Sequence, residues 1–167
     1  MQYEEFLNRV MARAGLKTRE EALAAIQAAL GTLAERISGG EARDIAARVP
    51  PEIKAYLDKG GDEKAHSFPL REFYRRVSKY CGVDAPTGVL YARAVLSTLR
   101  SALPPDEFRD VLSQLPVEFA ELFHWDPEAP IPLGHLPPET QRESPENKDK
   151  EAQPQQRQDR GQNQTRT

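Results

Sequence analysis

Apolar residues recur at helical spacing along most of this chain. Tyr3, Phe6, Leu7, Val10 and Ala14 fall on one face of a segment whose other positions include Glu4, Glu5, Arg9 and Arg13. That rhythm predicts an amphipathic helix over Tyr3–Ala14. Gly15 predicts its end, because glycine takes the left-handed geometry beyond a helix at no steric cost. Thr18, with Glu21 three residues on, has capping-box spacing. It opens an alanine-rich helix running to about Ile37 on Leu23, Ile26, Leu30, Leu33 and Ile37. Alanine on the remaining faces lets neighbouring helices approach closely. Ser38 and Glu41 repeat the capping spacing ahead of a third, short helix with Ala42, Ile45, Ala46 and Val49 on one face. Pro50 and Pro51 punctuate, and a fourth short helix is expected over 52–57. No stretch shows the period of two that marks a strand.

The glycine-bearing polar stretch 58–67 predicts a linker, after which the pattern restarts. LREFYRRVSKYCG follows the scheme of YEEFLNRVMARAG, with Phe6, Arg9, Val10 and Gly15 recurring as Phe73, Arg76, Val77 and Gly82. EFRDVLSQLPVEFAELF then repeats EARDIAARVPPEIKAYL without a gap, and every apolar position stays apolar, from Ile45/Val111 to Leu57/Phe123. The period is about 66 residues, longer than most solenoid repeats. The expected architecture is an all-α, internally duplicated helical bundle. Two four-helix units, 3–57 and 70–123, are related by a pseudo-two-fold axis in a single domain ending near residue 136. Units shorter than about 70 residues have little core alone, so the halves are expected to pack tightly together.

After residue 123 the pattern changes. Residues 124–136 are proline-dense, with Trp125, Ile131, Leu133 and Leu136 as apolar anchors, and read as an extended strap. From 137 to 167 there is no Ile, Leu, Val, Met, Phe, Tyr or Trp, and six basic residues cancel six acidic ones. Such a composition cannot offset its ordering entropy, so a disordered polar tail is expected. The whole chain carries a formal net charge of -3, which argues against general nucleic-acid binding. There is no charged-then-apolar leader pattern and no apolar run of membrane-spanning length. A cytoplasmic location is the expectation, as a monomer or weak homodimer.

The segments FLNRVMARAG…LAERISGGEARDIAARVPPEIKAYL and FYRRVSKYCG…LPVEFAELF, with the opening QYEEFL, the SGGEARD turn and the LP junction before the last short helix, resemble the bacterial domain-of-unknown-function family 2267. The resemblance covers Met1 to about Phe123. It implies a small all-helical cytosolic protein and brings no catalytic residues to transfer. The strap and tail lie outside it.

Candidate chemistry is sparse. Cys81 is the one cysteine; it ends the helix bearing Phe73 and Val77, which makes it a core thiol more readily than a reactive one. His66, His124 and His135 have no metal-ligand spacing. Arg43 and Asp44 recur as Arg109 and Asp110, with Glu52 recurring as Glu118. These are either two equivalent polar sites or arginine–carboxylate bridges fixing helix junctions, with Glu52 or Glu118 as partner. Arg71, Arg75, Arg76 and Lys79 share a broad face that could contact phosphates, although no aromatic is interleaved for stacking. Nothing calls for a catalytic residue, a cofactor or a metal. The favoured function is a non-enzymatic protein-interaction or accessory module with an unknown protein partner and no membrane. Nucleic-acid association through the Arg71–Lys79 face is the alternative, and a binder of an apolar small ligand between the repeats is third.

Overall fold

The computed structural model describes residues 1–128 and 135–137. The first half consists of α1 (Tyr3–Ala14), α2 (Arg19–Arg36), α3 (Gly39–Ala46) and α4 (Pro51–Lys54), which runs into a 3-10 turn at Ala55–Leu57. The second consists of α5 (Leu70–Cys81), α6 (Ala85–Ala102), α7 (Pro105–Ser113) and a 3-10 segment, Val117–Phe123. Among the described residues there is no strand. The fold is all-α, as the hydrophobic rhythm predicts.

The helix ends follow from local chemistry. Thr18 Oγ1 accepts the Glu21 amide and Ser38 Oγ accepts the Glu41 amide, each at 3.2 Å. Asp84, which the pattern did not single out, does the same for Thr87 at 2.9 Å. Each satisfies one of the donors a helix start leaves unpaired. Gly15 and Gly82 close α1 and α5 in the left-handed region, both at φ 65°.

Two long helices form the centre. α2 packs on α1, α5 and α6, while α6 packs on α1, α2, α5 and the second 3-10 segment. That explains why α2 is buried nearly all round: Ala22, Ala25, Ala28, Ala29 and Ala34 are covered along with Ile26, Leu30 and Leu33. Small side chains hold the neighbours close. At the α5–α6 crossing, Gly88 has no room for a side chain, since a Cβ there would fall on Ser78 Oγ. One continuous hydrophobic cluster runs from Phe6 to Phe123 and draws on both halves. Phe6, Ile53, Phe73 and Phe119 are fully buried, each stabilising the fold by about 1.5–3 kcal/mol. Phe73 and Phe119 meet edge to face at 6.0 Å.

Two local expectations are refined. The last short helix winds as a 3-10 helix, whose three residues per turn put the buried Phe119 and Leu122 on one line. The stretch 58–67 has no helix or strand, but it is tied to the end of α2: the His66 amide donates to Glu35 O (2.9 Å), and Lys59 Nζ donates to Ile37 O (2.5 Å). It thereby supplies donors to carbonyls that a helix C-terminus leaves open. Of the strap, Trp125 lies under the Arg13 guanidinium at 5.7 Å and Leu136 packs on the core. Ile131 and Leu133 lie outside the described residues, as does the tail from 138 onward; Pro137 is described and buried. Among the described residues, no helix is long and apolar enough to cross a membrane.

Candidate functional site

A spacious concavity lies in the first half. α3 supplies Gly39, Ala42, Arg43 and Ala46; α4 and the 3-10 turn supply Pro51, Lys54, Ala55 and Leu57; the stretch after them supplies Asp58, Lys59, Gly61, Asp62 and Glu63. The cleft has a volume of about 520 Å³, within the range of small-ligand and peptide sites. Its floor is alanine, proline and leucine because α3 and α4 are short and present small residues there. Its rim is charged, and the charges are mostly engaged locally. Arg43 pairs with Glu63 at 2.6 Å, Asp62 with His66 at 2.5 Å, and Asp58 Oδ1 accepts the Gly60 amide at 2.9 Å. The Arg43 guanidinium holds the Glu63 carboxyl below its ordinary range, and His66 does the same for Asp62. Lys54 and Lys59 are rim cations with no ion pair among the described residues, and Lys59 Nζ donates instead to the carbonyls of Ile37 and Lys64. The cleft is open to solvent, with an apolar floor and a rim of matched charge.

This is not where an apolar ligand was expected. The junction of α1, α2, α5 and α6 is filled by buried side chains. The cleft lies to one side, within 39–63, because the looped stretch 58–63 stands beside α3.

The repeated polar residues do not assemble into two equivalent sites. Arg43 turns to Glu63, and Arg109 turns to Asp106 one helical turn away; both arginines are mainly exposed. Neither bridges to Glu52 or Glu118, so the expected junction bridges are replaced by surface pairs. Glu52 is exposed. Glu118 is drawn elsewhere: its Oε1 accepts the Leu70 amide at 3.0 Å. α5 begins after Pro69 with no side-chain cap of its own, and a carboxylate there satisfies an orphan donor and complements the helix dipole. Asp44 and Asp110 lie on the outer sides of α3 and α7, exposed.

The basic face is largely neutralised. Glu72 receives Arg75 through two hydrogen bonds of 2.6 Å and Arg76 through one of 3.0 Å. The Arg75 hydrogen bonds lead in holding the Glu72 carboxyl down to about 2. Arg76 also pairs with Glu35 across to α2 and lies 4.0 Å from the centroid of Phe68. Of the four, Arg71 and Lys79 are exposed and Arg75 and Arg76 are half-buried.

A buried polar network escaped the sequence reading. Arg93, 8% exposed, sits in the middle of α6. Its Nη2 reaches Glu121 Oε1 at 3.1 Å and its Nε donates to Tyr74 Oη at 3.3 Å. Tyr74 Oη donates to Glu121 Oε1 at 2.7 Å, and His135 Nδ1 meets Glu121 Oε2 at 2.9 Å. Burial raises the Glu121 carboxyl, but the hydrogen bonds from Tyr74, His135 and Arg93 outweigh it and hold the group below its ordinary value. The signal available was an arginine inside the apolar run VLYARAVLSTL, where a charge must find a partner. The network fastens α5, α6, the last 3-10 segment and the strap together. A second buried arginine, Arg36, donates to Phe68 O at 3.0 Å and lies over the Phe68 and Phe119 rings.

Cys81 is partly buried, with Sγ 3.7 Å from Ala24 O, and burial pushes its thiol up to about 11. It carries no thiolate at neutral pH. His66 and His135 each meet a carboxylate, and His124 is exposed. Among the described residues no three His, Cys, Asp or Glu converge to hold a metal ion.

No curated protein matches the chain. Residues 3–122 match the family model described as "Uncharacterized conserved protein (DUF2267)". That match spans the helical part from α1 to the last 3-10 segment, and the chain belongs to this family.

Proposed function

We propose that this protein is a non-enzymatic interaction or accessory module of the cytoplasm, which receives a short apolar segment of a partner protein in the cleft beside α3. One observation carries the reading: the cleft, of about 520 Å³, has an apolar floor, and its rim sets the three cations Arg43, Lys54 and Lys59 against the three anions Asp58, Asp62 and Glu63, with Arg43 already paired to Glu63. Such a surface favours an uncharged apolar occupant over a phosphate or a strand of nucleic acid, which would need an excess of cations over anions. The chain's own tail is a poor occupant, because it holds no large apolar residue. The nucleic-acid alternative is weakened by Glu72 and Glu35, which engage two of the four basic residues it needs.

We further propose that the scaffold is two copies of one four-helix unit about a pseudo-two-fold axis. α1 and α5 each have 12 residues and a left-handed glycine at the end, and α2 and α6 each have 18. α1 packs on α6 as α5 packs on α2, and α3 meets α7. The cleft falls outside this symmetry, since the stretch 58–63 that walls it lies between the two units.

The test is quantitative capture from a lysate of the source cells with the full chain and with Ala55→Trp. Ala55 is exposed and lines the cleft, so tryptophan fills the cleft without entering the core. The expected result is a protein enriched by the parent chain and lost with the variant at an unchanged melting temperature. Equal recovery by both chains, or nothing recovered by either, rejects the proposal.

A further inference from the structure

Residues 58–67, part of which walls the cleft, carry no large apolar side chain. They run between two buried anchors, Leu57 and Phe68, and every residue of the stretch is exposed except Lys59, which is half-buried. Its fastenings to the bundle are polar. Near its start, Lys59 Nζ donates to Ile37 O, just past the end of α2, at 2.5 Å. In its middle, Glu63 O accepts the Gly39 amide at 3.1 Å, and the Glu63 carboxylate takes the Arg43 guanidinium at 2.6 Å. Near its end, the His66 amide donates to Glu35 O at 2.9 Å. A second set of bonds lies within the stretch. Lys59 Nζ donates to Lys64 O at 2.6 Å, Asp58 Oδ1 takes the Gly60 amide at 2.9 Å, Asp62 Oδ1 takes the Lys64 amide at 3.0 Å, and Asp62 Oδ2 meets His66 Nε2 at 2.5 Å.

The two sets have different consequences. Local opening is cheapest where few apolar contacts are lost and where water replaces the broken hydrogen bonds. Swinging 58–67 away from α3 breaks the first set and withdraws no large apolar side chain. The second set travels with the stretch and keeps its shape. We propose that residues 58–67 form a flap beside α3, which swings out as one body to admit the occupant of the cleft and is latched shut by Lys59. The Arg43–Glu63 pair is a weak fastening, because its side chains are 67% and 59% exposed. Lys59 is the stronger one. Its ammonium makes a charge-assisted bond to a carbonyl at a helix C-terminus, where positive charge complements the dipole. It also holds Ile37 O and Lys64 O at once, so it joins the bundle to the flap. Opening removes the wall of Gly61, Asp62 and Glu63 and leaves the floor on α3 and α4 in place.

The inference takes the cleft from the reading above but needs no partner. Hydrogen exchange of the full chain alone tests it, so its failure is separate from a failed capture. Gly39 is the first residue of α3 and has no acceptor within the helix, so Glu63 O protects its amide. The His66 amide reports the other end of the flap. The expected result is similar protection of these two amides, both exchanging at least about a hundredfold faster than the Leu30 amide in the middle of α2. Lys59→Met keeps the stem and loses the ammonium, and it should speed both amides about tenfold relative to Leu30. Glu63→Gln, which breaks only the exposed ion pair, should have the smaller effect. Exchange of both amides as slow as that of Leu30 overturns the flap, because the stretch would then open only when the whole chain unfolds. Protection at one amide and not the other overturns the single moving body. Rates within about twofold of the parent in Lys59→Met overturn the latch.

Discussion

Replacing Arg93 with methionine isolates the buried network. The guanidinium is about nine-tenths buried, with 10% of its side chain exposed, and Glu121 is 21% exposed. Methionine keeps the length and apolar bulk of the stem, so the loss is mainly that of the charge and its hydrogen bonds. Removing one partner from a fully buried ion pair costs about 3–5 kcal/mol, mostly through the charge left behind. Glu121 is not left bare, for Tyr74 at 2.7 Å and His135 at 2.9 Å still contact it, and water reaches part of it. The expected cost is therefore at the lower end, about 2–3 kcal/mol, read as a lower urea midpoint at pH 7. The pH dependence gives an independent check. Glu121 is held below 4.5 in the fold, so its stabilisation is present above that value and is lost as the pH falls through the folded one. Arg93→Met weakens the depression, and the gap between parent and variant should narrow below about pH 4. Adding Glu121→Gln to Arg93→Met should recover part of the loss, because no charge is then stranded. A cost below about 0.5 kcal/mol at pH 7, or a gap that stays constant through pH 3, would refute the reasoning.

Gly88→Ala gains helix propensity of about 1 kcal/mol, but its Cβ would fall on Ser78 Oγ and lie 2.8 Å from Ser78 Cβ. Chemical denaturation should show a net loss of about 1–2 kcal/mol, partly recovered by Ser78→Gly in the same chain. Arg109→Ala should leave the melting temperature within about 1 °C, because the pair with Asp106 is exposed; a drop of several degrees would mean that the arginine holds the junction after all. Cys81 should react with iodoacetamide at pH 7.4 far more slowly than a free thiol, since its thiol is pushed up to about 11, and urea unfolding should restore the ordinary rate.

Much of the architecture was legible in the chain. The helix ends at Gly15 and Gly82, the caps at Thr18 and Ser38, and the buried faces carrying Phe6, Ile53, Phe73 and Phe119 are local or periodic properties, and such signals depend only on neighbours in sequence. Those same signals could not assign partners to charged side chains. Arg43, Glu52, Arg109 and Glu118 repeat together, yet Arg43 found Glu63, Arg109 found Asp106 and Glu118 found the open amide of Leu70. Long side chains choose among whatever the packed surface brings within reach, and that choice involves small energies and distant residues.

What the sequence determined is thus the set of helices and the faces they must bury, because hydrophobic periodicity and capping act along the chain. Tertiary structure alone decided that the central junction is filled and the cleft stands beside α3, that Arg93 meets Tyr74 and Glu121, and that Glu118 accepts the open amide of Leu70. Each of those joins residues far apart in the chain, and only the packing of α2 and α6 at the centre fixes which of them meet.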